Sequence, residues 1–171
     1  TIRHYSKAII IAGGIHATVA PKDLTNKGVD FVFQSEAEIS LIEFLKRLAK
    51  REEISKIKGI WPNPFARLTD LTQLPIEKKE LFHNVSFGEI TEKNKGYAGE
   101  ILTTRGCTYS CNYCCNSTLN KLYEKNLNVK LSEFMRYRPI KQVIDELQAI
   151  KKKYVRIRGF IFGDDTFTLN K

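Results

Sequence analysis

All four cysteines of this 171-residue chain lie between Cys107 and Cys115, and this clustering constrains the chain more than any other feature of its sequence. A secreted protein held together by disulfides distributes its cysteines to close loops. Two adjacent cysteines such as Cys114 and Cys115 cannot usefully link distant segments. The clustering therefore predicts a metal-binding loop in a protein of the reducing cytoplasm.

The ligand spacing of this loop is C-x3-C-x2-C, formed by Cys107, Cys111 and Cys114. Three thiolates on a short loop can hold three irons of a cubane cluster, so the fourth iron is open to a substrate or cofactor. Closed cubane sites use four cysteines, and structural zinc sites also require four nitrogen or sulfur ligands. Cys115 is expected to be a small buried apolar residue. The spacing favours an open iron–sulfur cluster, with zinc binding and unligated thiols as alternatives.

Residues 1–51 alternate short apolar runs with helical patterns. The runs at Lys7 to Ala12 and Val29 to Gln34 predict buried strands of a parallel sheet, the first of them covered on both faces. Ser35 is expected to be the N-cap of the helix that follows, with Glu38 completing a capping box. The order strand, helix, strand, helix predicts half of a doubly wound α/β domain.

Residues 57–96 lose this periodicity and predict a connector that packs on its neighbours. A new strand is predicted at 100–104, just before the cysteine loop. The apolar stripe of residues 140–154 predicts the clearest helix of the chain, and residues 159–163 predict another short buried strand. The second half is therefore expected to be a βαβ-like unit with its chemistry at the strand ends.

The charge balance adds little to this interpretation. Lys and Arg number 28 against 19 Asp and Glu, a net charge of +9, but they are spread along the chain. Their densest group, around Lys151 to Lys153, is interpreted as a solvated helix end, so nucleic-acid binding is less favoured. No apolar run is long enough to predict a transmembrane helix. Because Thr1 is not an initiator Met, the chain is interpreted as part of a longer protein.

The cysteine loop resembles that of the radical S-adenosylmethionine (radical SAM) superfamily, which has the same spacing after a strand and an aromatic residue before the last cysteine. The resemblance implies that Cys107, Cys111 and Cys114 are the ligands of a 4Fe–4S cluster. It also implies that Tyr113 lies near the adenine of SAM, whose amino and carboxylate groups would bind the open iron.

Members of this superfamily usually carry a Gly-Gly-Glu motif after the second strand, where it contacts the SAM amino group. This chain has Gly163-Asp164-Asp165 at that position, within the segment FIFGDDTFT, which resembles one branch of the superfamily. The resemblance implies that Asp164 or Asp165 contacts SAM, since a carboxylate suits an ammonium group. The alternative is a strand-end turn in which the aspartate binds local backbone.

The N-terminal segment IIIAGGIHAT, followed by VDFVFQSEAE and a helix, resembles the cobalamin-binding class of this superfamily. In that class a Rossmann-like cobalamin domain precedes the barrel. The resemblance implies that Gly13 and Gly14 lie near the nucleotide tail of cobalamin. His16 is interpreted as a polar loop residue. The sequence has no Asp-x-His-x-x-Gly motif, so cobalt ligation is left open.

The implied fold class is α/β, with part of a Rossmann-like cobalamin-binding domain followed by the first βα units of a partial TIM-type radical SAM barrel. Residues 1–56 would be the C-terminal part of the cobalamin-binding domain, 57–96 the connector and 97–171 the N-terminal part of the radical SAM domain. Most barrel strands would then lie outside the chain, so the fragment alone is expected to be inactive.

The activity implied for the parent enzyme is reductive cleavage of SAM to a 5′-deoxyadenosyl radical. The resemblance implies cobalamin-dependent methyl transfer or cyclisation on an unreactive carbon, carried out anaerobically by a methyltransferase or oxidoreductase. The implied cofactors are a 4Fe–4S cluster, SAM and cobalamin, and the implied partners are a small-molecule substrate and a flavodoxin or ferredoxin as electron donor. No catalytic residue is assigned. The alternatives are a methylthiotransferase-like radical SAM enzyme acting on RNA or protein, and a zinc-binding interaction module.

Overall fold

The structure, a computed structural model, describes residues 2–77 and 97–169. It has a mixed α/β fold with small parallel sheets, which confirms the α/β class. Residues 78–96, the larger share of the predicted connector, lie outside the described residues. The chain divides into two compact units, the first formed by Thr1–Thr69 and Tyr109–Leu131, the second by Asp70–Thr108 and Ser132–Lys171.

The helices and strands follow one another along the chain in an alternating order. They are α1 (Ile2–Tyr5), β1 (Ile11–Ala12), α2 (Ile15–Val19), α3 (Lys22–Thr25), β2 (Phe31–Val32), α4 (Glu38–Lys50), β3 (Tyr97–Ile101), β4 (Thr104–Arg105), α5 (Cys115–Leu127), α6 (Leu131–Phe134), β5 (Arg136–Tyr137), α7 (Ile140–Lys153) and β6 (Ile157–Phe162). Within the described ranges, no helix has the length and apolar character needed to cross a bilayer.

The core of the first unit joins its parallel sheet to α4 and to the start of the connector. Phe33, Phe44, Ile57 and Ile60 form a buried cluster, in which the Phe33 and Phe44 rings meet edge to face at 5.5 Å. Ile60 also pairs with Phe33 through an isolated antiparallel bridge. The prediction that the connector packs on its neighbours is confirmed for these residues.

The prediction that the first strand is buried on both faces is wrong. β1 is limited to two residues, with Ile11 opposite Phe31 on β2. The Ile11 side chain is 44% exposed, and Ile9 before it is also exposed. In the part of the chain that the structure describes, this sheet has two strands, so β1 has a neighbour on one edge and its apolar side chains are largely uncovered.

The predicted capping box at the start of α4 is also wrong. The N-cap is Ala37, and Ser35 has a left-handed backbone conformation with φ of 63°. The N–H of Ser35 donates to the hydroxyl of Thr18 at 2.9 Å instead of lying in line with the helix. Glu38 accepts a hydrogen bond from the hydroxyl of Thr69 at 3.2 Å, so its side chain is directed to the connector.

Asp30 fixes the entry to β2. Its carboxylate accepts a hydrogen bond from the backbone N–H of Ile10 at 2.7 Å and forms an ion pair with Arg3. The hydrogen bond from Ile10, followed by that from Arg3, lowers the pKa of Asp30 below its usual value of 3.8. Both interactions favour the ionised carboxylate.

The second unit contains the predicted β-α-β order. β3 and β6 pair as parallel strands, with Ile101 opposite Phe162 at their carboxyl ends, and α7 connects β5 to β6. β4 and β5 form an antiparallel pair with Thr104 opposite Tyr137. The helix predicted at 140–154 is confirmed as α7, and its start after Pro139 fits the fixed φ of proline.

Two details of burial in this unit differ from the prediction. Ile140 of the predicted apolar stripe is 75% exposed, whereas Glu146 is only 2% exposed and forms an ion pair with Arg138. The strand predicted as buried at 159–163 is observed as β6, with Ile161 and Phe162 exposed. The described part of this sheet also has two strands, which leaves one edge of β6 without cover.

Sequence patterning missed α5, the helix that directly follows the cysteines. Its sequence, CNSTLNKLYEKNL, lacks an apolar stripe, although Asn120 and Tyr123 are buried. The Tyr123 ring packs against Phe65 of the first unit with ring centroids 5.7 Å apart. Asn128 ends the helix with φ of 54°, the left-handed conformation that asparagine adopts more readily than most residues.

Candidate metal and cofactor site

The cysteine loop begins in the second unit with a turn that only glycine can make. Gly106 directly follows β4 and has φ of 88°. A Cβ atom at this position would lie 2.6 Å from the backbone oxygen of Phe134, far inside a normal contact. The turn delivers Cys107, which is 7% exposed, to the interior of this unit.

Asp164 holds the chain at the start of this loop. Its Oδ1 atom accepts hydrogen bonds from the backbone N–H groups of Thr103 and Thr104, at 2.8 and 2.5 Å. The hydroxyl of Thr104 donates to Oδ1 at 2.6 Å, and that of Thr103 donates to Oδ2 at 3.0 Å. The carboxylate thus connects the turn after β6 to the residues that lead into β4.

A second connection reaches the cysteine itself. The hydroxyl of Thr166 donates a hydrogen bond to the Sγ atom of Cys107 at 3.2 Å. Thr166 lies two residues after Asp164, so the same short turn holds the strand before the loop and the first cysteine of the loop. Sequence reasoning missed Thr166, although its position beside the acidic pair was a signal that could have found it.

The other cysteines lie in the first unit, at the start of α5. Cys114 is the N-cap residue of α5, and its N–H donates to the backbone oxygen of Cys111 at 3.1 Å. The hydroxyl of Ser117 donates to the backbone oxygen of Cys114 at 3.0 Å. The positive end of the helix dipole favours a negatively charged group such as a thiolate at Cys114.

Cys115 is the first residue of α5 and is exposed, so the prediction that it is a small buried residue is wrong. All four cysteines are free thiols. No three His, Cys, Asp or Glu side chains of the described residues already form a group that could hold a metal ion. The donor chemistry nevertheless fits the predicted cluster, because iron–sulfur clusters are held by cysteine thiolates.

The three residues implied in SAM binding differ in their surroundings. Tyr113, in the first unit, is 93% exposed, so its ring is available to a ligand. Asp165 is also exposed, whereas Asp164 accepts the four hydrogen bonds described above. The geometry at Asp164 matches the strand-end turn that the sequence offered as an alternative.

The glycine pair at the end of β1 forms a second candidate site, within the first unit. Gly14 has φ of 90° and ψ of −167°, a region open essentially to glycine alone, and no atom lies within 4 Å of the position of a Cβ there. Its backbone oxygen accepts from the hydroxyl of Thr18 at 2.9 Å, and that hydroxyl accepts from the N–H of Ser35. Gly13 is exposed, and a Cβ there would meet Phe33 at an ordinary 3.8 Å.

Next to this strand end the first unit has a cavity of about 430 Å³. Thr18 and Gln34 bring buried polar groups to it, and Trp61 and Phe65 bring aromatic surface. The cavity wall continues over Val19, Ala20, Pro21, Lys22, Asp23, Leu122 and Asn126. Trp61 and Phe65 escaped sequence reasoning because the proline-rich connector has no periodicity that would predict which of its side chains are buried. His16 is exposed and contacts Asp23 at 3.3 Å, in keeping with a polar loop residue.

In sequence, the chain matches no protein-family model and no curated protein. In fold, it is similar to two solved structures of TsrM, a radical S-adenosylmethionine methyltransferase from Kitasatospora setae. One was solved with cobalamin and a [4Fe–4S] cluster bound, and it has a TM-score of 0.59 and 18% identity over 96% of this chain. The other was solved with tryptophan substrate and the SAM analogue aza-SAM, and it has a TM-score of 0.60 and 18% identity over 98% of this chain.

The likeness is one of fold, and it extends over almost the whole chain. The chain spans 32% of the length of each of these solved structures. The class of protein that the sequence resembles is therefore also the class of the solved structures with a similar fold. The two lines of reasoning are independent, because one uses motif residues and the other uses backbone geometry.

Proposed function

We propose that the chain is part of a radical SAM enzyme in which Cys107, Cys111 and Cys114 hold a 4Fe–4S cluster. The observation that carries this proposal is the set of three free thiols with C-x3-C-x2-C spacing, placed between β4 and α5. The similarity in fold to a radical SAM methyltransferase supports it over 96% of the chain. When bound, such a cluster supplies the electron that cleaves the C5′–S bond of SAM.

Each residue of the site has a separate task in this proposal. Asp164 holds the residues that lead into β4 and so fixes the start of the cysteine loop. Tyr113 offers an exposed ring for the adenine of SAM. Of the two aspartates implied in SAM binding, Asp165 is our choice for the amino group, because Asp164 already accepts four hydrogen bonds from Thr103 and Thr104.

We further propose that the first unit is the C-terminal part of a Rossmann-like cobalamin-binding domain, with Gly13 and Gly14 beside the nucleotide tail. Ligands of parallel α/β sheets bind at the carboxyl ends of the strands, which is where these glycines follow β1. The open space at Gly14 supports close approach of a ligand to the backbone. One of the solved structures with a similar fold contains cobalamin.

The reaction proposed for the parent enzyme is cobalamin-dependent methyl transfer or cyclisation on an unreactive carbon of a small molecule. A flavodoxin or ferredoxin would supply the electron. The second unit is proposed to be the start of a partial TIM-type barrel, since its parallel pair β3–β6 includes a connecting helix. The cofactors would carry out the bond-breaking chemistry, while the protein binds and orients the reactants.

Anaerobic reconstitution with iron and sulfide tests the cluster. We expect about four irons and four sulfides per chain, with SAM binding measured by equilibrium dialysis only after the cluster is loaded. Zinc bound at one equivalent, with no iron or acid-labile sulfide, would contradict the proposal and favour a zinc-binding module. Specific binding of RNA or a protein substrate by the loaded protein would favour the methylthiotransferase-like alternative.

Equilibrium binding of cobalamin tests the role of the glycine pair. We expect binding to weaken in Gly14→Ala, because the new methyl group enters the open space at the strand end. Gly28→Ala is a matched control, since Gly28 also has a positive φ, of 84°, but a Cβ there would lie against Arg3. Wild-type protein that binds no corrinoid would contradict the proposed cobalamin domain and leave the cluster proposal standing.

A further inference from the structure

The hydroxyl of Thr166 is close to a sulfur atom that the proposed function makes a cluster ligand. It donates to Cys107 Sγ at 3.2 Å across 59 residues of sequence. Cys107 is nearly buried, and Thr166 is half-buried. A hydrogen bond in this setting is shielded from competing water, so it constrains the sulfur more than an exposed one would.

The chain holds Thr166 in place from both sides. Before it, Asp164 is fixed by four hydrogen bonds from Thr103 and Thr104. After it, a short 3-10 helix (Phe167–Leu169) begins, and its Phe167 ring packs on Phe162 of β6 with centroids 4.8 Å apart. The hydroxyl is therefore presented to Cys107 by a turn that is itself anchored, and it is not a freely rotating surface group.

We propose that Thr166 is a positioning residue for the cluster, which orients Cys107 and donates a hydrogen bond to its sulfur when that sulfur ligates iron. This inference rests on the proposed function. Partners that hydrogen-bond to metal ligands orient them and tune the metal. A donor to sulfur stabilises the additional negative charge of the reduced cluster and so raises its reduction potential.

The test compares Thr166→Val with Thr166→Ser in the full chain, reconstituted anaerobically. Thr166→Val keeps the shape of the side chain but removes the donor, and we expect a lower reduction potential and about tenfold weaker iron binding. A tenfold change in the equilibrium constant of a one-electron reduction corresponds to about 59 mV. Thr166→Ser retains the hydroxyl and is expected to keep the wild-type potential. Thr168→Val, at an exposed threonine of the same short helix, is the matched control.

Spectroelectrochemical titration gives a readout that a purely structural role would not move. If Thr166→Val misfolds, as judged by circular dichroism, Thr166→Ala provides the same loss of donor with a smaller side chain. Equal potentials in wild-type, Val and Ala proteins would overturn the inference alone. A wild-type chain that takes up no iron would overturn the proposed function and this inference together.

Discussion

The two units each have a parallel strand pair whose carboxyl end is tied by side-chain hydrogen bonds, but they use different chemistry. In the first unit, the neutral hydroxyl of Thr18 bridges the backbone of Gly14 and Ser35. In the second unit, the carboxylate of Asp164 accepts four hydrogen bonds from Thr103 and Thr104. Hydrogen bonds to charged groups are stronger than those between neutral groups, so the second connection is expected to be the more rigid.

The difference matches what each strand end is proposed to do. Around Gly14 the backbone is bare and no atom lies within 4 Å of a Cβ position, as suits the approach of a large ligand. Around Gly106 the space is filled by Phe134, and the turn orients a buried thiol. One strand end thus leaves room, while the other fixes the position of a ligating atom.

The largest expected effects come from adding one methyl group at three glycines. Gly106→Ala combines a positive φ with a 2.6 Å approach to Phe134, and we expect it to lower the free energy of unfolding by about 4 kcal/mol. Gly14→Ala has the backbone strain without the steric clash, and we expect about 2 kcal/mol. Urea unfolding monitored by circular dichroism measures both.

Gly13→Ala is the control for this series, because a Cβ there makes an ordinary contact 3.8 Å from Phe33. We expect a change within about 0.5 kcal/mol. Equal losses for Gly14→Ala and Gly106→Ala would remove the distinction between an open strand end and a filled one.

The next effect tests the carboxylate connection in the second unit. Asp164→Ala leaves the N–H groups of Thr103 and Thr104 without their acceptor, and we expect the free energy of unfolding to fall by about 3 kcal/mol. Asp165→Ala, at the exposed neighbour, is expected to cost about 0.5 kcal/mol while weakening SAM binding to the loaded protein. If the two variants are equally stable, Asp164 does not hold the strand end.

The smallest effect tests the hydroxyl bridge in the first unit. Thr18→Val keeps the shape of the buried side chain but removes the acceptor for the N–H of Ser35, and we expect a loss of about 1.5 kcal/mol. Thr25→Val is a control at an exposed threonine, whose hydroxyl donates locally to the backbone oxygen of Lys22. A Thr18→Val protein less stable than Asp164→Ala would reverse the comparison between the two strand ends.

Elements whose pattern depends on local periodicity could be predicted from the sequence. The helix α7 and the strand β6 appeared within a few residues of their expected positions, and the parallel pairing of β1 with β2 fits the expected strand, helix, strand order. The burial of β1 and β6 was overestimated, because burial depends on neighbouring strands that local pattern does not reveal. The helix α5 was missed because it is polar, with Tyr123 as its one buried aromatic residue.

For the candidate site, the sequence identified residue types but not their contacts. The spacing of the cysteines predicted a ligand set, and the motif around Asp164 predicted an acidic group at a strand end. The hydrogen bonds from Thr103 and Thr104 to Asp164 join residues 60 or 61 positions apart, and that from Thr166 to Cys107 joins residues 59 apart. No local pattern encodes such contacts, since they depend on the register of β3 with β6.

The most direct test of the central claim is the iron and acid-labile sulfide content of two variants after anaerobic reconstitution, Cys111→Ala and Cys115→Ala. Both remove one free thiol near the start of α5, so they are matched in chemistry and location. The three-ligand assignment predicts that Cys111→Ala loses the cluster, whereas Cys115→Ala keeps the wild-type content. Equal loss in both variants, or full iron content in Cys111→Ala, would contradict it.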